Sequence, residues 1–458
     1  MSKTKLKKEN VQLLKVAAIS LLIGLLLGAM LVYAQSSNTV TISSGVYPGA
    51  ASYTIWRDGS YYYAKNAYGA IDYSGTDAAL VIQSAINAIN GRGHIFIKAG
   101  IYDLYSPINY TSDNFELYIE GEIGGIYAYT PYCTVLRKQF NGDMLTLSSS
   151  RNAYYANFYL KNLKFLGNRD SYTGRGLVVS GPSWSVIENC HFSNMYGNAI
   201  RIENSKVIRI VRCQVYTKET ESGVYLKNVG DSQIYDLEVC IDLFSNPALE
   251  IDTGCTFEIF GGHFEGYYGI KTSSHIRVIG ANLPWAYSNN IYVNWSSCTF
   301  ISCFLNNPNQ GGFTDERGAN VFTNAKPRTE LIGCWIGSGN KATYGFYGYN
   351  GSNSRLIGNE FYGTFSVSPV RLVSGETWKS NANFVTENSG TATIPSGQNI
   401  TIVSHGLAGT PTMVVVTGTT NDTADAYVLA VTSTVFTIAV PSPVGGNRTV
   451  YWYAEYKP

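Results

Sequence analysis

Apolar residues recur along the middle of the chain at two fixed offsets. With Cys190 of the stretch "IENCHF" as position zero, comparable centres fall at Leu163, Cys213, Leu237, Gly262, Ala281, Cys303, Cys334 and Asn359, with spacings from Leu163 onward of 27, 23, 24, 25, 19, 22, 31 and 25 residues. Three residues before the centres stand Leu160, Ile187, Ile210, Ile234, Ile259, Val278, Phe300, Leu331 and Leu356. Two residues after them stand Phe165, Phe192, Val215, Val239, Phe264, Leu283, Leu305, Ile336 and Phe361. A second apolar column, Leu177, Ile200, Val224, Leu249, Ile270, Ile291, Val321 and Phe346, precedes the last eight centres by 11 to 13 residues.

Each period therefore reads as two or three short strands separated by polar turns. One such unit cannot bury its apolar side alone, whereas stacked units bury a continuous core. Parallel crossovers take the right-handed sense, so the pattern predicts a right-handed parallel β-helix. Four residues before the centres, the stacking sets Glu258 beside Arg277 and Glu330 beside Arg355 on adjacent coils about 4.8 Å apart.

Upstream, "DAALVIQSAINAING" has a helical period, with Ile82, Ile86 and Ile89 on one face, Thr76 or Asp77 as N-cap and Gly91 at its end. It predicts a helix that plugs the open end of the coil. Before it, "TIWRDGSYYYAKN" reads as a hairpin turning at Asp58 and Gly59. After Phe361 the repeat ends, and the stretch starting at Gly375 reads as a connector. From Thr391, five or six alternating strands with Gly and Pro turns predict a small β-sandwich. The expected division is 1–34, 35–92 (hairpin and capping helix), 93–383 (β-helix) and 384–458 (sandwich).

The stretch "AYGAIDYSGTDAALVIQSAINAINGRGHIFIKAGIYDL" resembles the opening of the pectate-lyase-like β-helix superfamily, which includes polygalacturonases, rhamnogalacturonases and phage tailspikes. The resemblance implies the β-helix fold and engagement of polysaccharide, either as a degraded substrate or as a bound surface. The sandwich is similar to modules that end phage tail fibres and, more distantly, to H-type lectins, which implies glycan binding and a homotrimer. His405 and Trp452 in it read as turn and core residues. The chain departs from the polygalacturonase pattern: the Asn-Thr-Asp, Asp-Asp, Gly-His-Gly and Arg-x-Lys motifs are absent, and "GGHF" at Gly261 to Phe264 is the nearest approach. A lyase of this superfamily would call for Ca²⁺ held by acidic residues.

The amino terminus carries Lys3, Lys5, Lys7, Lys8 and Lys15 before an apolar run of 18 residues from Val16 to Tyr33. Basic residues before an apolar run hold that end in the cytoplasm, so the body is expected outside it, secreted or at the cell surface. The run is longer than a usual signal core and just reaches spanning length, leaving a cleaved signal peptide and an uncleaved membrane anchor both open. Charged residues make up 14% of the chain, and the net charge is +1. Without the terminal lysines and Glu9 it becomes 1 − 5 + 1 = −3, with no basic block left, which argues against a nucleic-acid partner.

Alternation on the second strand sends Leu249 and Ile251 inward and Glu250 and Asp252 outward together. Side chains at i and i+2 lie about 7 Å apart, the separation an inverting glycosidase uses for its acid and base. The neighbouring coils add Arg201, Glu203, Tyr225 and Lys227 on one side and Lys271, Tyr292 and Asn294 on the other, a polar and aromatic face suited to a sugar chain. Glu250 and Asp252 are thus the candidate catalytic pair; the alternative is a solvated face neutralised across coils. A secondary candidate is His263 stacked over Glu238 as an acid/base pair.

The eight cysteines show no CxxC, so no metal site is expected. Cys190 with Cys213, and Cys303 with Cys334, share a column on adjacent coils, close enough for a disulfide although stacked free thiols serve equally. In "IENCHF", His191 is expected to face water between Lys164 and Gln214. Two functions remain open: a polysaccharide lyase or hydrolase, and a non-catalytic adhesin, spike or surface protein with a glycan-binding carboxyl-terminal module.

Overall fold

The computed structural model describes residues 51–122, 133–217, 220–242, 245–324, 328–349, 354–371, 377–379, 381 and 384–456. The basic and apolar segment ending at Ala34 lies outside them. Among the described residues, no helix is long and apolar enough to cross a membrane.

Strands Tyr53–Asp58 and Tyr61–Asn66 pair antiparallel, with Asp58 opposite Tyr61 and Gly59 at φ +58° in the turn. A third strand, Ile71–Gly75, adds to this hairpin. The helix follows at Ala78–Ala88. Asp77 is its N-cap, accepting from the Ala79 amide at 2.9 Å, and it also accepts from the Tyr105 amide and the Ser106 hydroxyl, which ties the cap to the first coil. At the other end Asn90 and Gly91 take φ +49° and +64°, and the Gly91 amide donates to the Ile86 carbonyl. A side chain at Gly91 would collide with the Tyr110 ring. The buried face of Ala78, Val81, Ile82, Ala85 and Ile86 joins the same core as Ile95, Tyr102 and Leu104, so the helix plugs the coil as its period predicts.

From Arg92 the chain winds through three parallel sheets. One holds the Ile187, Ile210 and Ile234 column, and its registers run Tyr159↔Val186, Val186↔Arg209, Arg209↔Gln233 and onward to Glu330↔Arg355. The second, eleven-stranded, carries the Phe165, Phe192, Val215 and Val239 column. The third carries Leu177, Ile200, Val224 and Leu249. All three columns point inward and are buried, which makes the coil a parallel β-helix with one continuous core. The cross-coil pairs form: Arg277 reaches Glu258 at 3.4 Å and Arg355 reaches Glu330 at 3.0 Å. Being partly exposed, each is worth at most about 1 kcal/mol, so they help set register more than stability.

The corner between the first two sheets is made by one residue per coil. Asn162, Asn189, Arg212, Asp236, Gly261, Gly280, Ser302, Gly333 and Gly358, each directly before a repeat centre, all have φ between +49° and +69°. Left-handed backbone suits glycine and asparagine and costs other residues about 1–2 kcal/mol. Asn189 further donates to the Asn162 side chain at 2.7 Å, one rung of a polar ladder along the corner.

Two expectations need correction here. The repeat does not end at Phe361: Ser368–Arg371 and Thr377–Lys379 pair in register with the preceding coil, the second of them within the stretch from Gly375 and both inside the 93–383 bounds expected for the β-helix. His191 points outward between Lys164 and Gln214 but is half-buried rather than freely solvated. Both its ring nitrogens are buried without hydrogen-bond partners, and burial, followed by the nearby Lys164, pushes its pKa down to about 4. Of the two arrangements left open for the stacked cysteines, the structure has free thiols. Cys190 and Cys213 each donate to a backbone carbonyl, of Glu188 and Val211, and Cys303 and Cys334 do the same to Ile301 and Ile332.

The carboxyl-terminal module consists of two three-stranded antiparallel sheets. Glu387–Ile394 and Met413–Gly418 flank Arg448–Glu455, and Ile400–Ser404 and Tyr427–Val431 flank Val435–Ala439. Its small core holds Phe436, Ile438, Val450 and Trp452. His405 is fully buried, accepting from the Leu407 amide at 3.0 Å, and is a turn residue as expected. Phe361, Phe384 and Tyr456 form an aromatic chain, with centroids 6.0 and 6.4 Å apart, that joins the module to the last coils of the β-helix.

Candidate functional site

The third sheet aims two rows of side chains outward. Register places Arg201 beside Tyr225, Tyr225 beside Glu250, Glu250 beside Lys271 and Lys271 beside Tyr292. The parallel row holds Glu203 beside Lys227 and, at the strand end, Asp252. The residues singled out from alternation are therefore brought together, because the inward positions Ile202, Leu226 and Ile251 between them are apolar and buried.

Both carboxylates are engaged by neighbouring side chains. Lys271 donates to Glu250 at 2.8 Å, and the Ser222 hydroxyl donates to the other oxygen of the same carboxylate. Asp252 accepts from Tyr225 at 2.8 Å and from the Thr253 amide at 2.7 Å, with the Lys227 ammonium at 3.5 Å. Arg201 donates to Glu203 at 2.7 Å while its guanidinium lies 4.6 Å over the Tyr225 ring. Partial burial acts to raise the Asp252 pKa, but the Tyr225 hydroxyl, the Thr253 amide and Lys227 outweigh it and hold the group below its usual range. An inverting hydrolase needs one carboxyl raised so that it can donate a proton. Asp252 is instead held in the ionised form, the state the base of such a pair takes.

Tyr292 is not an open platform. It packs between Tyr268 and Phe322, with centroids 4.9 and 5.3 Å away, in a small apolar cluster with Tyr344 and Tyr347 outside the coil. Asn294 stands at the end of its strand, accepting from Asn324 at 3.4 Å. The charged half of the face, from Arg201 to Lys271, is thus half-buried and polar, and its aromatic half is closed upon itself.

The secondary pair is also rearranged. Glu238 is in register with His263, but it accepts from Gln214 at 2.6 Å and from Tyr216. His263 Nε2 instead meets Glu265 at 2.7 Å, and this carboxylate raises the imidazole pKa against the opposing effect of burial. Cys240, in register with Glu265, completes a group in which a thiol, an imidazole nitrogen and a carboxylate oxygen lie within 4.8 Å of one another. Among the described residues this is the one such grouping of three. The three residues come from two coils, so no CxxC spacing announces them. Glu250 and Asp252 are engaged by cations and hydroxyls, and among the described residues no third acidic side chain is grouped with them for a Ca²⁺ ion.

Fold and surface together define a parallel β-helix carrying a paired polar strip along one sheet. No family model and no curated protein matches the chain. Solved structures similar to it include the A-module of a mannuronan C-5 epimerase from Azotobacter vinelandii, 16% identical with a TM-score of 0.40, covering 66% of this chain and 95% of that one. The enzymatically active domain of tailspike protein 2 from bacteriophage CBA120 is 12% identical with a TM-score of 0.48, covering 83% and 71%. A tailspike of Acinetobacter baumannii bacteriophage Fri1, a capsular polysaccharide depolymerase, is 12% identical with a TM-score of 0.41, covering 82% of each chain.

Proposed function

We propose that this is an exported β-helix protein that binds polysaccharide along the strip from Arg201 to Lys271 without cleaving it. The observation that carries the reading is the strip's charge pairing. Arg201, Lys227 and Lys271 balance Glu203, Glu250 and Asp252, each carboxylate ion-paired with a cation on its own or a neighbouring coil. A charge-balanced, pre-ordered array of donors and acceptors suits a hydroxyl-rich chain, which it meets at little reorganisation cost. The row crosses successive coils about 4.8 Å apart, so a linear glycan lying along the coil axis would touch one coil after another. Because Arg201 covers one face of Tyr225 and Tyr292 is enclosed, recognition here rests on hydrogen bonds rather than ring stacking. The lysine-rich, apolar amino terminus supports a secreted or cell-surface location.

The adhesin or spike form of this reading gains support from the terminal module. Ile400, Ile402, Tyr427 and Leu429, on one sheet, are 41 to 66% exposed, an apolar surface of the kind that oligomers cover. A homotrimer joined through this sheet fits that surface. To test the strip, the full chain and its Arg201→Met/Lys271→Met variant would be compared on an array of acidic and neutral polysaccharides. The reading expects binding by the wild type and its loss in the variant; equal binding would move recognition elsewhere.

A further inference from the structure

On the outer face of the eleven-stranded sheet, away from the polar strip, Glu238–Ile241 and His263–Glu265 present Cys240, His263 and Glu265 together. We propose that these three side chains bind one divalent cation of the zinc class, with Asn282 as the residue that positions the imidazole.

The donor set fits that ion. Thiolate, imidazole and carboxylate are the three ligand types zinc takes, at about 2.3, 2.0 and 2.1 Å, which places tetrahedral ligand atoms roughly 3.4 Å apart. The three atoms already lie within 4.8 Å of one another on two adjacent coils, so closing on an ion takes side-chain movements of about 1 Å and none of the backbone. The His263 and Glu265 side chains are 30 and 26% exposed, which leaves the ion a route in from solvent and a fourth position for water. On coordination the Cys240 thiol gives its proton to solvent. Burial first, then the carboxylates of Glu265, Glu238 and Asp242, push the Cys240 thiol pKa up, so the thiol keeps its proton until a cation displaces it.

Asn282 provides an independent pointer. Its side-chain nitrogen lies 3.3 Å from His263 Nδ1, while its Oδ1 is buried with no hydrogen-bond partner. Nothing at Oδ1 therefore holds the amide in this orientation. Reversed, the amide oxygen accepts from Nδ1–H, the tautomer that leaves the Nε2 lone pair free for a metal. A ligating histidine that gives its other N–H to a carbonyl or carboxylate is the usual supporting arrangement.

The test titrates Co²⁺ and then Zn²⁺ into the chelator-stripped full chain under anaerobic reducing conditions. The expected result is one equivalent bound, with a thiolate-to-cobalt charge-transfer band and tetrahedral visible bands that zinc displaces. Cys240→Ser should abolish the charge-transfer band, and Asn282→Ala should weaken binding about 10- to 100-fold with the band retained. Cys213→Ser, at a buried thiol elsewhere, should change neither. Absence of a stoichiometric site in the wild type, or a band that survives both Cys240→Ser and His263→Gln, overturns the proposal. Circular dichroism of each variant separates ligand loss from unfolding.

Discussion

The Tyr225 hydroxyl donates to Asp252 at 2.8 Å across two adjacent coils, and this contact does most to offset the effect of burial on that carboxylate. A group whose folded pKa lies below its unfolded value contributes stability above the unfolded value. That contribution is lost as pH falls through the folded one. Tyr225→Phe should raise the Asp252 pKa toward the ordinary carboxylate value, as read from its side-chain carboxyl resonance. The variant should be less stable by about 1 kcal/mol at neutral pH, a hydrogen bond to a charge discounted for exposure. The gap between variant and wild type should close in acid; a gap constant from neutral pH into acid would refute the assignment.

Lys138 is fully buried, its ammonium has no hydrogen-bond partner, and burial lowers its pKa to about 8. Between that value and the ordinary lysine value near 10.5 the unfolded chain holds a proton that the folded chain has released, so stability should rise with pH across this window. Lys138→Met should remove the slope and stabilise the protein by about 1–3 kcal/mol at neutral pH, measured by urea unfolding. A destabilised variant would show that the ammonium serves a purpose in the core.

Ser302 and Arg212 occupy the left-handed corner that glycine or asparagine fills on most coils. Ser302→Gly should be neutral or stabilising by up to about 1 kcal/mol, whereas Ser302→Val, β-branched at φ +51°, should cost about 2 kcal/mol or more in a thermal melt. Equal effects of the two substitutions would contradict the corner's role.

These corners also show where sequence reading stops. The inward columns are legible because burial admits few residue types, and they fix which of Glu250, Asp252 and Lys271 share a face. The left-handed column was equally regular but disguised by Arg212, Asp236 and Ser302, which accept a modest strain that no apolar pattern records. What the outward residues touch was not legible. Alternation says that Glu238 and His263 face the same way; it does not say that Glu265, two residues along, takes the imidazole, or that Tyr268 and Phe322 enclose Tyr292. His191 was misread for the same reason, since pointing out of the coil differs from reaching solvent when neighbouring residues cover the sheet. Local chemistry, by contrast, narrows the helix cap to Thr76 or Asp77, and the structure takes Asp77.

The apolar outer sheet of the terminal module predicts self-association. Ile402→Lys with Leu429→Lys, both exposed in the single chain, should leave the fold intact and shift sedimentation from an oligomer toward the monomer. A wild type that sediments as a monomer at micromolar concentration would remove the basis for an oligomeric spike.

The central claim is binding without cleavage on the Arg201 to Lys271 strip. Its most direct test is equilibrium binding of a glycan identified on the array, with product analysis in the same samples, for the wild type and for Glu250→Gln/Asp252→Asn. The account predicts that the wild type binds and releases neither reducing ends nor unsaturated products, and that the double variant binds at least about tenfold more weakly, or 1.4 kcal/mol. Released products from the wild type that vanish in the double variant, or undiminished binding by that variant, would contradict it.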